Sequence, residues 1–186
     1  MREYKFNGRS WEKVQFNYSM FYRFLMKVHY YFFPLISILF FTDKLFTFYY
    51  QFIGVKIGKN TIIRKGTFIN DPKALIIGDN CSIHGEFKSR GGIIIGNNVE
   101  IVQDVLISTQ SHNVDSEYFE SRYSPVRIGN YCWIGPRACI LQGCELEEGV
   151  VIGALAVVTK SILSPWTVAV GSPAVAKRPR VQLYIP

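Results

Sequence analysis

The chain has 186 residues, of which 48% are hydrophobic and 19% charged. That length suits one domain with an accessory segment, not two full domains, and the apolar content argues against intrinsic disorder. Lys and Arg outnumber Asp and Glu by 21 to 14, a formal charge of +7, so an acidic partner is expected: a phosphorylated small molecule, a membrane surface or nucleic acid.

The N-terminal third differs from the rest. Of the 28 Phe, Tyr and Trp residues, 19 lie within residues 1–54, and the composition then turns to Ile, Val and Gly. The shift marks a boundary near Gly54. The longest uncharged run of this segment, residues 28–42, holds 15 residues and includes His29 and Pro34. As a helix it reaches roughly 22 Å, short of a hydrocarbon core of roughly 30 Å. No alanine occurs before Ala74, so no small-residue cleavage site of a signal peptide follows the run. Residues 11–52 read as amphipathic helices that pack on the main domain or a neighbouring subunit. The functional alternative is peripheral contact with an inner membrane, helped by Arg23, Lys27 and Lys44.

From Ile57 onward an aliphatic residue recurs every six positions. The count runs Ile57, Ile63, Ile69, slips by two to Ile77 and Ile83, resumes at Ile95, Ile101 and Ile107, and after an insertion continues Ile128, Ile134, Ile140, Leu146, Ile152 and Val158. Four residues after most of these comes a small one: Thr61, Thr67, Cys81, Val99, Val105, Ser111, Cys132, Ala138, Cys144, Val150 and Ala156. Glycine often follows the aliphatic position, as at Gly58, Gly78, Gly96 and Gly129, where backbone freedom is the expected reason. A period of six is neither the 2 of a strand nor the 3.6 of a helix. It fits a short flat strand and a tight corner, three to a triangular coil, with coils stacked over a continuous apolar column. Residues 55–170 hold five or six coils, with a protruding loop at 109–126 and a basic tail at 171–186. The same register places Cys81, Cys132 and Cys144 inside, as reduced thiols without metal-site spacing.

Departures from a scaffold carry its function. The insertion between Ile107 and Ile128 is polar and contains His112, Asp115 and Glu117. Of the three histidines, His29 is expected to pack in the aromatic segment and His84 to lie solvated at a corner. His112 sits where a regular coil gives way to a loop, and a neutral imidazole there can take a proton from a hydroxyl near pH 7. At the other end Lys160 and the cations of the tail are candidates for holding phosphate.

Four stretches resemble the hexapeptide-repeat, left-handed β-helix acyltransferases: ISTQSHNVD at 107–115, PVRIGNYCWIG at 125–135, VIGALAVVTK at 151–160 and WTVAVGSPA at 166–174. Within that family the chain looks like the sugar O-acetyltransferases, most of all those of capsule and colanic acid. The resemblance implies an all-β left-handed parallel β-helix with an N-terminal aromatic-rich helical segment. It implies acetyl-coenzyme A as acyl donor, no metal, and direct transfer with His112 as general base. It places Trp133, Gly135, Ala154 and Ala156 along the pantetheine arm, and Thr159, Lys160 and Arg178 near the nucleotide and its 3′-phosphate. It implies a homotrimer with active sites between subunits, in the cytoplasm and with a carbohydrate acceptor. One departure is that no asparagine aligns cleanly in the coil before the histidine. Lys88, Ser89 or Arg90 are the candidates to meet the acceptor there, together with Asp115. Asp115, Glu117 or a backbone carbonyl is expected to orient His112.

Other readings remain at this point: N-acetylation of a nucleotide amino sugar, O-acetylation of serine, or a β-helix that assembles without catalysing. A carbonic anhydrase of this fold needs three metal-binding histidines, and only His84 and His112 fall within the coils. Nucleic-acid binding rests on the charge alone, with no motif behind it.

Overall fold

The computed structural model describes residues 3–6, 11–13, 17–40 and 42–181. Two short strands open the chain, β1 (Glu3–Phe6) and β2 (Trp11–Lys13), followed by helices α1 (Met20–Leu39) and α2 (Asp43–Ile53). The expected helical stretch of 11–52 therefore begins later than its composition suggested, with residues 11–13 in a strand and 14–16 and 41 outside the described residues. Ser19 and Thr42 cap the two helices, each side chain accepting from a backbone N–H three residues on. Gly54, at φ 119°, ends α2 in the left-handed region.

The coils follow. They comprise β3 (Lys56–Ile57), β4 (Ile62–Ile63), β5 (Phe68–Ile69), a 3₁₀ turn at Pro72–Ala74, β6 (Leu75–Ile77), β7 (Ser82–Lys88), β8 (Ile93–Ile95) and β9 (Glu100–Ser108). A hairpin of β10 (Gln110–His112) and β11 (Ser121–Tyr123) interrupts them. The coils resume with β12 (Val126–Ile128), β13 (Trp133–Ile134), β14 (Cys139–Ile140), β15 (Glu145–Leu146), β16 (Val151–Ile152), β17 (Val157–Val158) and β18 (Thr167–Val170), and β19 (Val175–Pro179) folds back on the last of them.

Parallel pairing sorts these strands onto three faces of a left-handed triangular β-helix. The first face stacks β3, β6, β8, β12 and β15, and Ile162 bridges to Leu146 below. The second stacks β4, the start of β7, the start of β9, β13, β16 and β18. The third stacks β5, the ends of β7 and β9, then β14 and β17. One inward column per face results: Ile57, Ile77, Ile95, Ile128 and Leu146; Ile63, Ile83, Ile101, Ile134 and Ile152; Ile69, Phe87, Ile107, Ile140 and Val158. All are buried except the half-buried Ile57.

Two details of the period have a different cause from the one the sequence suggested. The glycines after the aliphatic residue are there for room. A Cβ at Gly129 would lie 2.8 Å from the backbone N of Glu148, and one at Gly78 would lie 2.7 Å from the backbone of Gly96. The left-handed conformation falls two residues later, on Asn60, Asn80 and Asn98, all near φ 55°, which asparagine tolerates. Ser111 is also not in the small inward column. Thr109 is the buried residue there, its hydroxyl donating to the Lys88 carbonyl, and Ser111 stands half-buried in the hairpin.

A stack of coils has an open strand edge at each end. At the N-terminal end the helices cover it. Phe46 and Tyr50 are fully buried, and polar side chains pair the free backbone of the first coil. Thr47 bonds Ile63 through both N–H and carbonyl; the Tyr50 hydroxyl donates to Thr67 and accepts from the Ile69 N–H. His29 is buried, as packing required. The Ile69 carbonyl at 3.0 Å can only accept, so Nε2 carries the proton and Nδ1 accepts from Tyr49 at 2.7 Å. Burial holds the His29 pKa below the usual imidazole value.

Candidate active site

The hairpin that carries His112 leaves the corner between the third and first faces, the 3–1 corner. Its strands pair in antiparallel register, Gln110 with Tyr123, Ser111 with Arg122 and His112 with Ser121. The ribbon β1–β2 continues this sheet, because β1 pairs in parallel with β11. No sequence signal linked residues 3–13 to the insertion, since strand partners far apart in the chain leave no local pattern.

His112 is exposed at the hairpin tip, and its Nδ1 lies 2.8 Å from the Phe119 carbonyl. The carbonyl accepts, so Nδ1 bears the hydrogen and Nε2 keeps its lone pair toward solvent. Of the three expected orienting groups it is the backbone carbonyl that does this, on a residue at φ 43°. Asp115 and Glu117 are exposed in the turn beyond. Below the hairpin Gln142 donates to the Ser111 hydroxyl. A cavity of about 370 Å³ opens at this level, lined by Ser124, Pro125, Arg127, Gln142, Cys144 and Glu145. Arg127 and Glu145 pair across it at 3.3 Å. The sequence reading passed over this cavity, because its lining comes from two different coils.

The other candidate residues divide by face. Lys88 and Ser89 belong to the 3–1 corner, as do Thr159 and Lys160, which follow β17 and are exposed. Lys88 is exposed and pairs with Glu86 at 3.6 Å. Ser89 is fully buried. Its hydroxyl donates to the Asp71 carbonyl at 2.7 Å, so it ties two coils together and is not available to an acceptor. Trp133 lies on the second face, half-buried, in register with Glu100 and Val151. Val151 pairs with Val168, and Val168 with Arg178, so Trp133 and Arg178 share that face about three strand spacings apart, roughly 14 Å. Gly135 and Ala154 meet at the next corner, where a Cβ on Gly135 would come within 2.7 Å of the Ala154 N. Ala154 is exposed, but Ala156 is fully buried. Its N–H donates to Gly153 and its carbonyl accepts from Cys139, so it supports the corner from inside and presents nothing to a ligand. Arg178 is exposed and donates to the Pro179 carbonyl, within a tail that forms strand β19; residues 182–186 of that tail lie outside the described residues. One chain thus gathers His112, Lys88 and Lys160 at one corner, and Trp133, Gly135, Ala154 and Arg178 on the second face and the corner beside it.

The cysteines are free thiols, with Cys81, Cys132 and Cys144 buried. Burial raises their pKa values, that of Cys132 to about 12, which keeps them protonated and unreactive. Among the described residues no cluster of three His, Cys, Asp or Glu could hold a metal.

Triangular coils with an extruded, histidine-bearing hairpin are the architecture against which the relatives are compared. The family described as bacterial transferase hexapeptide (six repeats) matches residues 125–160. A protein of Escherichia coli K12 named "putative colanic acid biosynthesis acetyltransferase WcaF" is 34% identical over 137 residues, which are 73% of this chain and 75% of that protein. The chain belongs to the hexapeptide-repeat acetyltransferases. Among solved structures, a hexapeptide-repeat acetyltransferase from Vibrio cholerae superposes with a TM-score of 0.74 at 21% identity, covering 87% of this chain and 93% of that one. A galactoside acetyltransferase in complex with coenzyme A superposes with a TM-score of 0.60 at 25% identity, covering 70% and 67%.

Proposed function

We propose that this protein transfers the acetyl group of acetyl-coenzyme A to a hydroxyl of a sugar or polysaccharide precursor. The observation that carries the reading is the 2.8 Å contact between His112 Nδ1 and the Phe119 carbonyl, which favours the hydrogen on Nδ1 and would leave Nε2 to act as the base. Nε2 takes the proton of the acceptor hydroxyl as that oxygen attacks the thioester carbonyl. The C–S bond breaks, and the departing thiolate recovers the proton from the imidazolium. The products are an acetyl ester and coenzyme A, with no acyl-enzyme between them. General-base help of this kind is worth roughly 10²–10⁴ in rate, and holding the two substrates together supplies much of the rest.

Trp133, Gly135 and Ala154 would line the pantetheine arm. Thr159, Lys160 and Arg178 would meet the nucleotide end, with the cations on the 3′-phosphate. Lys88 and Asp115 are exposed on the acceptor side. The division of these residues between the 3–1 corner and the second face supports a homotrimer, in which one protomer's hairpin closes over its neighbour's second face. Free buried thiols suit the cytoplasm. Within residues 11–52, α1 and α2 would make any peripheral contact with an inner membrane.

Thermal unfolding with coenzyme A, and separately with 3′-dephospho-coenzyme A, tests the donor. At about a hundredfold over its Kd the cofactor should stabilise the protein by roughly 2.7 kcal/mol. A shift that weakens without the 3′-phosphate is expected; no shift with either compound contradicts the reading.

A further inference from the structure

Helix α1 is apolar on its inner side and again on a second, exposed side about 100° round the helix. Tyr22, His29 and Ile36, seven apart, face the coils and are buried. Phe21, Phe24, Phe32, Leu35 and Leu39 recur at three, four and eight residues and form a second stripe, each more than half exposed. Helix α2 repeats the arrangement. Phe46 and Tyr50 are buried, while Phe48 and Phe52 are 63% and 76% exposed. A water-soluble surface rarely leaves so much contiguous apolar area uncovered.

The charges around the stripe carry one sign. Arg23 and Lys27, both exposed, lie four residues apart on the side of α1 turned away from the coils, and α1 contains no acidic residue. Lys44 is exposed at the start of α2, and the acidic residue of that helix, Asp43, is occupied by Arg64 at 3.0 Å. A second copy of the face would bring the same cations and no counter-charge. An anionic lipid surface brings both the apolar layer and the negative charge. The inner side of α1 is committed to the coils, and no helix among the described residues is long and apolar enough to cross a membrane, so the contact lies in the plane of the bilayer.

We propose that the outer faces of α1 and α2 form a docking surface for an anionic bilayer, and that docking sets His112 beside it. The second half follows from placement. Tyr18 and Tyr22, at the start of α1, both donate to the buried Asp71 carboxylate. Asp71 lies on the 3–1 corner, two coils from the hairpin, or about 10 Å along the helix axis. The acceptor is then a glycan carried at the bilayer surface. This consequence rests on the transferase reading, whereas the docking does not.

Flotation of the full chain with vesicles tests it. The chain should float with vesicles containing phosphatidylglycerol, and much less with pure phosphatidylcholine or in high salt. The Phe24→Ser/Leu35→Ser variant should stay behind while keeping its melting temperature, oligomer size and coenzyme A-induced stabilisation. Arg23→Gln/Lys27→Gln should lose the preference for phosphatidylglycerol. Failure of the wild-type chain to float with either vesicle overturns the proposal, as does flotation unchanged in the Phe24/Leu35 variant. A smaller oligomer in that variant would assign the face to a second copy instead, and also overturn it. Retained coenzyme A binding in any of these cases leaves the transferase reading standing.

Discussion

The two ends of the β-helix solve one problem in different ways. Each leaves a strand edge and an apolar column that must be covered. At the C-terminal end β19 folds back on β18, and Arg180 crosses the corner, donating to the Tyr131 and Gly149 carbonyls and lying over Trp166. On the outer side there Lys177 and Arg178 are exposed beside Val175 and Val181, with no exposed Phe or Tyr among the residues described at that end. At the N-terminal end Phe46, Tyr50, Thr47 and His29 complete the cover, yet the outer side of the same helices is rich in Phe and Leu. Covering an edge needs only the inner side. The C-terminal end shows that an edge can be covered without a row of exposed aromatic side chains, so the aromatic exterior of the other end calls for a separate explanation.

Substitutions on the two sides should separate these tasks. Phe46→Ala opens a cavity between helix and coil and should cost about 3–5 kcal/mol in chemical unfolding. Tyr50→Phe deprives the Thr67 carbonyl and the Ile69 N–H of their partner and should cost about 1–3 kcal/mol by the same measurement. Arg180→Ala at the opposite end, where the side chain is only partly buried, should cost about 1 kcal/mol. A much larger loss would mean that Arg180 holds the last coils together and does not merely close their corner. Phe24→Ser on the outer stripe should change stability by less than about 0.5 kcal/mol, and a larger loss would show that this side is packed after all.

His29 adds a pH signature to the N-terminal cover. Its pKa is lowered in the folded state, so the unfolded chain binds the proton first as pH falls. Its contribution is fully present above the ordinary imidazole pKa, near 6.5, and is lost as pH drops toward the folded value. The melting temperature should therefore fall between pH 7.5 and 5.5, and less steeply in His29→Phe. Equal slopes would remove His29 from the explanation.

Repetition made the coils legible. Ile63, Ile83, Ile101, Ile134 and Ile152 occupy one column because each coil imposes the same inward position on the next. Repetition also misled. Glycine after the aliphatic residue suggested backbone freedom, when the constraint is the backbone of the adjacent coil, which no single hexad reveals. Ser89 was a candidate for the acceptor where no asparagine aligns, and Ala156 matched the pantetheine edge by order along the chain, but burial decides against both, and burial depends on the coil above and below. His112 was legible as the lone histidine of the insertion. Its orienting group was not decided, because the Phe119 carbonyl is backbone, common to every residue, and becomes specific only once the hairpin closes. The pairing of β1 with β11 was invisible for a related reason: it depends on two segments more than a hundred residues apart.

The most direct test of the account is acetyl transfer from acetyl-coenzyme A to a sugar acceptor by the wild-type chain and by His112→Ala. The account predicts that kcat falls by roughly 10²–10⁴ while coenzyme A still raises the melting temperature by the wild-type amount. Turnover by His112→Ala within a few-fold of the wild type would contradict it.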